Sequence, residues 1–395
     1  MKKWNWFLFI VVLALWSTSC DDNKKKNENN NINNTTNNSN NNLNNTNNNN
    51  NNNNNTCNPI SPVEPSARLA VLTAGTDNGA LGELNADVTP PVFRADLVVT
   101  HSDATVRTGM GRVFVIERLG SDSLLVIQDT TFAVEYQLPL GASSNPQDIA
   151  LISTCKAYVS LYKGNTLAVV NPSTGTLLQT AVSLADYVDV DGSPEASWMN
   201  LVDANTVAVA IQNLEDWVPA RNGRILLVDT TTDTVTDTIE LTSRNPFSPI
   251  VHVTASSFVV GCVDDFSGDQ GGIEIFNTET RTARLAVSAT TLGGVPSDIV
   301  MEDENCGFVL VNTPAWESGI RPFCLDGTVG DWVVQPGQYT LTGLALTDDF
   351  RLVIADATAS ASGLRIVDPT TPTNPPVFIS TPLAPGFTKP FAFLP

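Results

Sequence analysis

Histidine is nearly absent from this 395-residue sequence, and the common catalytic signatures are absent as well. Only His101 and His252 occur, and both lie in or beside apolar runs that predict strands. A histidine in that setting is expected to have a structural role, bonded to its neighbours. The sequence has no GxSxG, no HExxH, no phosphate-binding glycine loop and no nucleophile beside a base. These absences favour a protein that is not an enzyme.

Basic residues are also scarce, with 21 Lys and Arg against 41 Asp and Glu and a formal net charge of −20. A field of this sign repels phosphate backbones and anionic lipid headgroups. We therefore expect no nucleic-acid partner and no direct binding to a membrane surface. Cations and basic protein partners are favoured instead, although an acidic balance can also serve solubility alone.

The apolar run Trp4–Trp16 follows a short basic start and is too short to span a bilayer. The small residues Ser17-Thr-Ser and then Cys20 come next. This arrangement resembles a bacterial lipoprotein signal peptide. The resemblance implies a signal over residues 1–20, lipidation of Cys20, and a periplasmic or surface location in the cell envelope with membrane contact only through the lipid. A plainly cleaved signal that happens to contain a cysteine is the alternative.

Residues 21–66 form the next segment, which consists mostly of asparagine as far as Thr56. Such a composition cannot bury enough apolar surface to offset chain entropy. We expect a disordered tether that holds the globular part, residues 67–395, away from a membrane.

The stretch Asn145–Leu184 contains four short apolar runs separated by turn residues. The runs are Asp148–Ile152, Ala157–Tyr162, Thr166–Asn171 and Leu177–Ser183. They predict a four-stranded antiparallel meander. The pattern returns every 45 to 51 residues, measured between positions in successive innermost strands, at Ala104, Ile149, Met199, Ile250, Ile299, Leu344 and Ala392. This period is typical of a β-propeller blade, so we predict an all-β, seven-bladed propeller.

The two ends of the repeat array predict how the ring closes. The sequence stops at Phe391–Pro395, which reads as one innermost strand with nothing after it. The globular part begins with three strands, at Ala67–Leu72, Gly79–Asp87 and Arg94–Thr100, with no innermost strand before them. One strand from the end and three from the start make a seventh blade. Pairing both termini in one sheet leaves the ring without an open edge.

Six cysteines in an exported protein predict disulfides. Cys306 opens the second strand of one blade and Cys324 closes its third, so antiparallel pairing brings them together. Cys57 and Cys155 are expected on one face of the ring, which allows a second bridge. Cys262 lies within a strand and is most simply a buried thiol. No cysteine or histidine spacing indicates zinc.

The longest loops of the predicted ring all carry acids and fall on one face. In a meander blade, the connections to the next blade share a face with those between strands two and three. We call this face the loop face, and long loops on one face of a rigid scaffold are where binding usually resides. Its expected binding residues are Asp186, Glu215, Asp216, Trp217, Asp264, Asp265, Asp269, Trp316 and Glu317.

Carboxylates gathered at one rim favour a bound cation or a basic partner. Calcium takes several hard oxygen ligands, and the stretch Asp189-Val-Asp191-Gly-Ser193 with Glu195 nearby offers them. It is not an EF-hand, because aligning Gly192 with the invariant glycine puts Tyr187 at the first ligand position. We therefore predict a calcium site at Asp189, Asp191 and Glu195, with turn capping by Asp189 and Asp191 as the alternative.

Lys156–Ser160 followed by Asn165–Thr176 resembles the YVTN-type propeller repeat, as does Arg224–Val235. The loop Asp189–Glu195 resembles one found in exported, lipid-anchored bacterial propellers of unassigned function. The resemblance implies a propeller, and it leaves the ligand open because this scaffold hosts many functions. We predict a monomeric, non-catalytic binding or scaffolding module of the envelope. The alternatives are a calcium-dependent hydrolase resembling the lactonases, which hold an axial calcium, and a purely structural envelope protein.

Overall fold

The computed structural model describes residues 57–395 apart from 266 and 267, and these residues lie in one compact unit, Asn55–Pro395. The predicted signal peptide, the lipidation site Cys20 and most of the tether lie outside the described residues. The boundaries predicted for signal, tether and propeller therefore stay predictions.

Seven antiparallel sheets form the ring, which confirms the predicted seven-bladed all-β propeller with four-stranded blades. Three blades follow one another from Ala104 to Arg244, each from its innermost strand outward. Their strands are β4 (Ala104–Gly109), β5 (Arg112–Glu117), β6 (Ser123–Gln128) and β7 (Val134–Pro139); β8 (Pro146–Ser153), β9 (Lys156–Leu161), β10 (Thr166–Asn171) and β11 (Thr176–Ser183); β12 (Ala196–Asp203), β13 (Thr206–Ile211), β16 (Asn222–Asp229) and β17 (Thr234–Arg244).

Three further blades complete the consecutive series. Their strands are β18 (Val251–Thr254), β19 (Ser257–Val263), β20 (Gly271–Asn277) and β21 (Thr282–Ser288); β22 (Val295–Met301), β23 (Cys306–Asn312), β24 (Ser318–Cys324) and β25 (Val334–Tyr339); β26 (Leu341–Leu346), β27 (Leu352–Asp356), β28 (Gly363–Val367) and β29 (Val377–Ser380). A small extra hairpin, β14 (Leu214–Glu215) with β15 (Val218–Pro219), interrupts the connection between β13 and β16. The sequence pattern did not predict this hairpin.

The seventh blade joins both ends of the ring, as predicted. Its strands β1 (Arg68–Ala74), β2 (Gly79–Asn85) and β3 (Val92–Thr100) come from the start of the propeller. Two short C-terminal strands, β30 (Ala384–Pro385) and β31 (Phe391–Phe393), share the inner edge of β1. Two C-terminal strands thus pair with β1, whereas the sequence analysis predicted only one.

Helix is confined to two single turns. A 3₁₀ turn, Ala185–Tyr187, follows β11, and α1 (Ala289–Leu292) follows β21. The Ser288 hydroxyl accepts the Thr291 N–H at 3.2 Å to cap α1, and Gly293 ends it at φ 77°, a conformation that favours glycine. Within the described part of the chain, no helix has the length and apolar character that crossing a membrane requires.

The apolar core lies in layers between adjacent blades. One layer joins Tyr158 and Leu167 of one blade to Val207 and Val228 of the next. Tyr158 is fully buried, and its hydroxyl donates to Asp233 of the neighbouring blade, which also pairs with Lys156 Nζ at 2.6 Å. Each blade therefore depends on its neighbours for burial, and the ring is one cooperative core.

Buried aspartates near the ring axis tie blades together. Asp148 accepts the N–H of Ile149 in its own strand and that of Met199 in the next blade, both at 2.9 Å. Asp298 repeats this with Ile299 at 3.0 Å and Leu344 at 2.9 Å. Backbone donors near the axis would otherwise be unpaired.

Both predicted disulfides are confirmed. Cys306 and Cys324 face each other across β23 and β24, and Cys57 is bonded to Cys155 in the turn after β8. Cys262 is a buried free thiol. The second bridge fixes residues 57–66, the end of the predicted tether, against the ring, where Pro59 also pairs with Ser153. We call this segment the strap.

We expect Leu394→Ala to lower the free energy of unfolding by about 3 kcal/mol, as measured by urea unfolding. Leu394 is fully buried between the closing blade and the next, and its N–H donates to the Arg68 carbonyl. Phe350→Ala removes a half-exposed side chain and should cost less than about 0.5 kcal/mol. An equal loss of unfolding free energy in the two variants would show that the C-terminal closure does not stabilise the ring.

Candidate functional site: an acidic loop face

The four acidic loops emerge on one face of the ring, because each follows either an outermost strand or the second strand of its blade. They are residues 184–195, 212–221, 264–270 and 313–317. The opposite face carries mostly tight turns between strands one and two and between strands three and four. The loop face is therefore built from the connections that the repeat leaves free to vary.

Hydrogen bonds link the first three of these loops in succession. Glu195 Oε2 accepts the Leu214 N–H at 2.9 Å, which joins the first loop to the second. Arg244 then joins the second loop to the third: its guanidinium donates to the Pro219 carbonyl at 3.3 Å, and its N–H donates to Asp264 Oδ1 at 2.7 Å. The loops thus form one connected rim.

The third and fourth loops pack against each other through a glycine. A Cβ atom built on Gly268 would lie 3.1 Å from the Cα and the nitrogen of Pro314. The φ angle of Gly268 is 88°, so glycine is favoured for its conformation as well as for the space. The rim therefore continues through all four loops.

Three carboxylates converge within the first loop, where the sequence predicted a calcium site. One carboxylate oxygen from each of Asp189, Asp191 and Glu195 lies within 4.8 Å of the others. Hard oxygen donors at this spacing suit a calcium ion, whose ligand oxygens lie 2.3–2.6 Å from the metal. The arrangement needs further oxygens from backbone or water to complete a calcium shell.

Local backbone contacts set the shape of this loop. Asp189 Oδ1 accepts the Asp191 N–H at 3.0 Å, and Asp191 Oδ1 accepts the Ser193 N–H at 2.8 Å. The Ser193 hydroxyl donates to the Tyr162 carbonyl at 2.6 Å and anchors the loop to the ring. The turn capping that the sequence analysis kept as an alternative is present, and each capping carboxylate keeps a second oxygen for another role.

Burial dominates the electrostatics of the cluster. Glu195 is only 4% exposed. Burial is the main cause that raises the pKa of Glu195 to about 8, and the charges of Asp189 and Asp191 add to it. The hydrogen bond from the Leu214 N–H acts in the opposite direction and lowers this pKa. Burial of its carboxylate, together with Asp191 and Glu215 nearby, also raises the pKa of Asp189. Asp189 Oδ2 is buried and has no hydrogen-bond partner among the described residues. A cation would compensate all three groups.

Glu195 also has a positive φ of 48°, which is uncommon outside glycine and asparagine. Such strain persists only where surrounding contacts hold it, and it concentrates at binding sites.

The other predicted acids of the loop face lie outside the cluster of three. Asp186 is exposed on the 3₁₀ turn, Glu215 pairs with Arg221 at 3.4 Å, and Asp264 is committed to the Arg244 N–H. The remaining predicted acids, spread along the rim, are Asp216, Asp265, Asp269 and Glu317. They extend the negative surface without forming a second group of metal ligands among the described residues.

Both predicted tryptophans stand on the rim. Trp217 is 46% exposed and Trp316 is 44% exposed, and both have positive φ, 66° and 67°. The Trp217 ring stacks on Tyr162 with centroids 6.1 Å apart. Phe247 and Phe387, which the sequence analysis did not single out, are exposed in loops of the same face. Large apolar side chains are thus interspersed with the acids.

Sequence reasoning missed the residues that support the acid cluster. Tyr162 holds the loop through its carbonyl, and burial raises the pKa of its hydroxyl above the usual range. The Leu214 N–H orients Glu195, and buried Asn213 beside it carries a side-chain oxygen without a partner among the described residues. The one signal in the sequence is the length of the connection between β13 and β16, which is longer than the connection between β9 and β10 in the preceding blade.

Comparison with known proteins identifies the fold only. The sequence matches no protein-family model and no curated protein. Solved propeller structures are similar to it at low identity. They include hydrazine synthase of Kuenenia stuttgartiensis (14% identity, 67% of this chain and 76% of that chain, TM-score 0.51), the dihydro-heme d1 dehydrogenase NirN in complex with DHE (11%, 83% and 76%, 0.52) and U3-55K (9%, 74% and 93%, 0.52).

Glu195→Gln should remove a pH dependence of stability in calcium-free protein. Between about pH 4.5 and pH 8 the folded protein holds a proton on Glu195 that the unfolded chain has lost. The free energy of unfolding therefore falls as pH rises through this window, by at most about 1.4 kcal/mol per pH unit for one proton. Urea unfolding in chelator between pH 5 and pH 8 measures the slope.

The matched control is Glu304→Gln, which removes an exposed glutamate on a tight turn. It should keep the slope of the unsubstituted protein, whereas Glu195→Gln should be flatter. Identical slopes for all three proteins would mean that Glu195 is ionised in the folded protein over this pH range, which would contradict its raised pKa.

Proposed function

We propose that this chain is a non-catalytic binding module of a bacterial cell envelope, lipid-anchored through Cys20, whose loop face holds calcium and docks a basic partner. The convergence of Asp189, Asp191 and Glu195, with one buried oxygen unpaired, carries the proposal. Three carboxylates so close together repel one another unless a cation or protons compensate them.

Two disulfides support the proposed location. Cys57–Cys155 and Cys306–Cys324 indicate an oxidising environment, such as the periplasm or the cell exterior. The lipoprotein-like signal at the start of the sequence points to the same compartment and adds the anchor. Millimolar calcium is typical of extracellular binding modules, whose sites are correspondingly weak.

In this role the cation organises the rim. Glu195 joins the first loop to the second through the Leu214 N–H, so an ion held by Glu195 and the two aspartates stabilises both loops together. The exposed Trp217 belongs to that second loop. Calcium thereby pre-orders an apolar contact residue and lowers the ordering cost of binding a partner.

Charge complementarity favours a basic protein as the partner. The acids along the rim create a negative field that steers cationic surfaces toward it. Trp217 and Trp316 provide apolar anchors of the kind that dominate protein interfaces. The rim thus combines an attractive field with specific contact points.

The lactonase-like alternative requires carboxylates free to hold a metal on the ring axis. The axial acids Asp148 and Asp298 are instead used by backbone N–H groups of adjacent blades, and Asp148 also binds Arg107 at 2.6 and 2.7 Å. This donor set favours a binding module over that hydrolase. A purely structural protein differs from our proposal only in lacking a ligand at the rim.

Calcium should raise the unfolding midpoint of the full chain. An ion bound only by the folded state, at about 100 times its dissociation constant, stabilises by about 2.7 kcal/mol. We expect a shift of several degrees between chelator and 10 mM calcium in a thermal scan. Asp189→Asn with Asp191→Asn, which keeps the turn-capping oxygens, should abolish the shift.

The control is Asp326→Asn with Asp368→Asn. These exposed aspartates also cap turns through backbone N–H groups, but on the opposite face, and the pair removes the same charge. It should retain the full calcium shift. A calcium shift that survives Asp189→Asn with Asp191→Asn, or no shift at all in the unsubstituted chain, would contradict a calcium site in this loop.

A basic peptide should bind the loop face in preference to the opposite face. Glu215→Gln with Asp216→Asn should weaken binding of a deca-arginine peptide several-fold at low salt, measured by calorimetry, because both charges stand beside Trp217 on the rim. The equal charge change in Asp326→Asn with Asp368→Asn should have little effect. Equal weakening by both pairs would mean that net charge alone attracts the peptide.

A further inference from the structure

A cavity of about 920 Å³ runs along the axis of the ring. Its walls are mostly apolar side chains of the innermost strands, among them Ile149, Met199, Leu201, Ile250, Ile299 and Leu344. Pockets of this size, apolar with a few polar groups, are typical of small-molecule sites. None of the described residues of the four acidic loops lines this cavity.

Lys389 lines the end of this cavity nearest the loop face, because it lies two residues before the innermost strand β31. Its Nζ lies 5.8 Å from the centroid of the Trp198 ring. Among the described residues, no hydrogen bond to Nζ and no carboxylate oxygen within 4.0 Å of it is found. The lysine backbone has φ 39°, so the chain holds it in an uncommon conformation.

Arg107, the other axial cation, is fully engaged. It forms two bonds with the Asp148 carboxylate and donates to the Met199 carbonyl at 3.1 Å. Asp298 accepts two backbone N–H groups, as described above. Lys389 is therefore the one cationic group of the described cavity wall whose hydrogen bonds are left to a ligand or to water.

An ammonium in an apolar enclosure is costly without an anionic partner. Burial, and next the charge of Arg107, lower the pKa of Lys389 to about 7, although Asp148 and Asp298 act in the opposite direction. Burial likewise raises the pKa of Asp298 to about 6. Asp148 and Asp298 thus act on Lys389 from a distance, and neither carboxylate forms an ion pair with Nζ within 4.0 Å.

The strap defines the other end of the cavity. Pro59–Pro65 line it, with Ile60 and Val63 partly buried, and the bridge from Cys57 to Cys155 holds them there. Ser153, which pairs with Pro59, ends an innermost strand, so the strap lies on the face opposite the acidic loops. The negative rim and the strap are therefore at opposite ends of the axis.

We propose that the axial cavity binds a monocarboxylate with an extended apolar chain, its carboxylate on Lys389 Nζ and its hydrocarbon along the aliphatic walls. The apolar lining supplies the binding energy of the chain, and the single unpartnered cation selects the headgroup. The ligand enters past the strap and remains away from the proposed calcium site.

Calorimetric titration of the full chain with hexanoate, octanoate and decanoate at pH 6.5 tests this proposal. We expect one site per chain, affinity that rises with chain length, and at least tenfold weaker binding of octanol than of octanoate. Failure of all three carboxylates to bind, or equal binding of octanol and octanoate, would overturn it.

Substitutions at Lys389 identify the cation. Lys389→Met keeps the apolar volume and should weaken octanoate binding at least tenfold, whereas Lys389→Arg should retain most of it. Lys163→Met, at an exposed lysine, should leave binding unchanged. Octanoate binding to Lys389→Met as tight as to the unsubstituted chain would overturn the assignment, and a thermal scan of each variant establishes that it is folded.

The pH profile supplies a second readout that does not depend on the folding of the methionine variant. Arg107, Asp148 and Asp298 are the charged groups that face Lys389 from the neighbouring strands. Octanoate needs the protonated amine, so its affinity should fall as pH rises above about 7, and this fall should be absent in Lys389→Arg. The same fall in both proteins would place the titrating group elsewhere and contradict the proposal.

Discussion

The pairing of β31 with β1 is the constraint on which the rest of the molecule depends. Leu69, Ala70 and Val71 pair with Phe393, Ala392 and Phe391, which joins the last residues of the chain to the first strand of the propeller. A ring closed this way exposes no inner strand edge to other chains. The axial cavity and the single loop face both exist only while this closure holds.

Closure also fixes the chemistry of the two ends of the axis. The long acidic loops, one between blades and three between the second and third strands of a blade, meet on one face, where Glu195 and Arg244 link successive loops. The strap covers part of the opposite end under a disulfide. Between them, the apolar innermost strands enclose the amine of Lys389, which forms no ion pair with a described residue. A negative surface and a cation-bearing cavity thus coexist in one strongly acidic chain because the ring separates them.

Local patterns made most of the fold predictable from the sequence. Apolar runs of strand length that return about every 48 residues predicted the blades. The single innermost strand at Phe391–Pro395 predicted how the ring closes. Cys306 and Cys324 could be paired because strand register alone places them opposite each other. Asp189, Asp191 and Glu195 could be grouped because only a few residues separate them.

The contacts that could not be predicted from the sequence are those between segments far apart along the chain. Lys389 comes under the charges of Arg107 and Asp298 only because the ring closes, and no spacing along the chain indicates this. The orientation of Glu195 depends on the Leu214 N–H in another blade connection. The strap between Cys57 and Ala67 carries too little apolar sequence to distinguish it from the tether before it, and its position depends on the disulfide and on the pairing of Pro59 with Ser153.

The most direct test of the central claim is an anomalous difference map from crystals of this protein grown with calcium. The account predicts one ordered peak between the carboxylates of Asp189, Asp191 and Glu195, with oxygen ligands about 2.3–2.6 Å away. The absence of a peak between those three carboxylates, or calcium density only elsewhere on the rim, would contradict it.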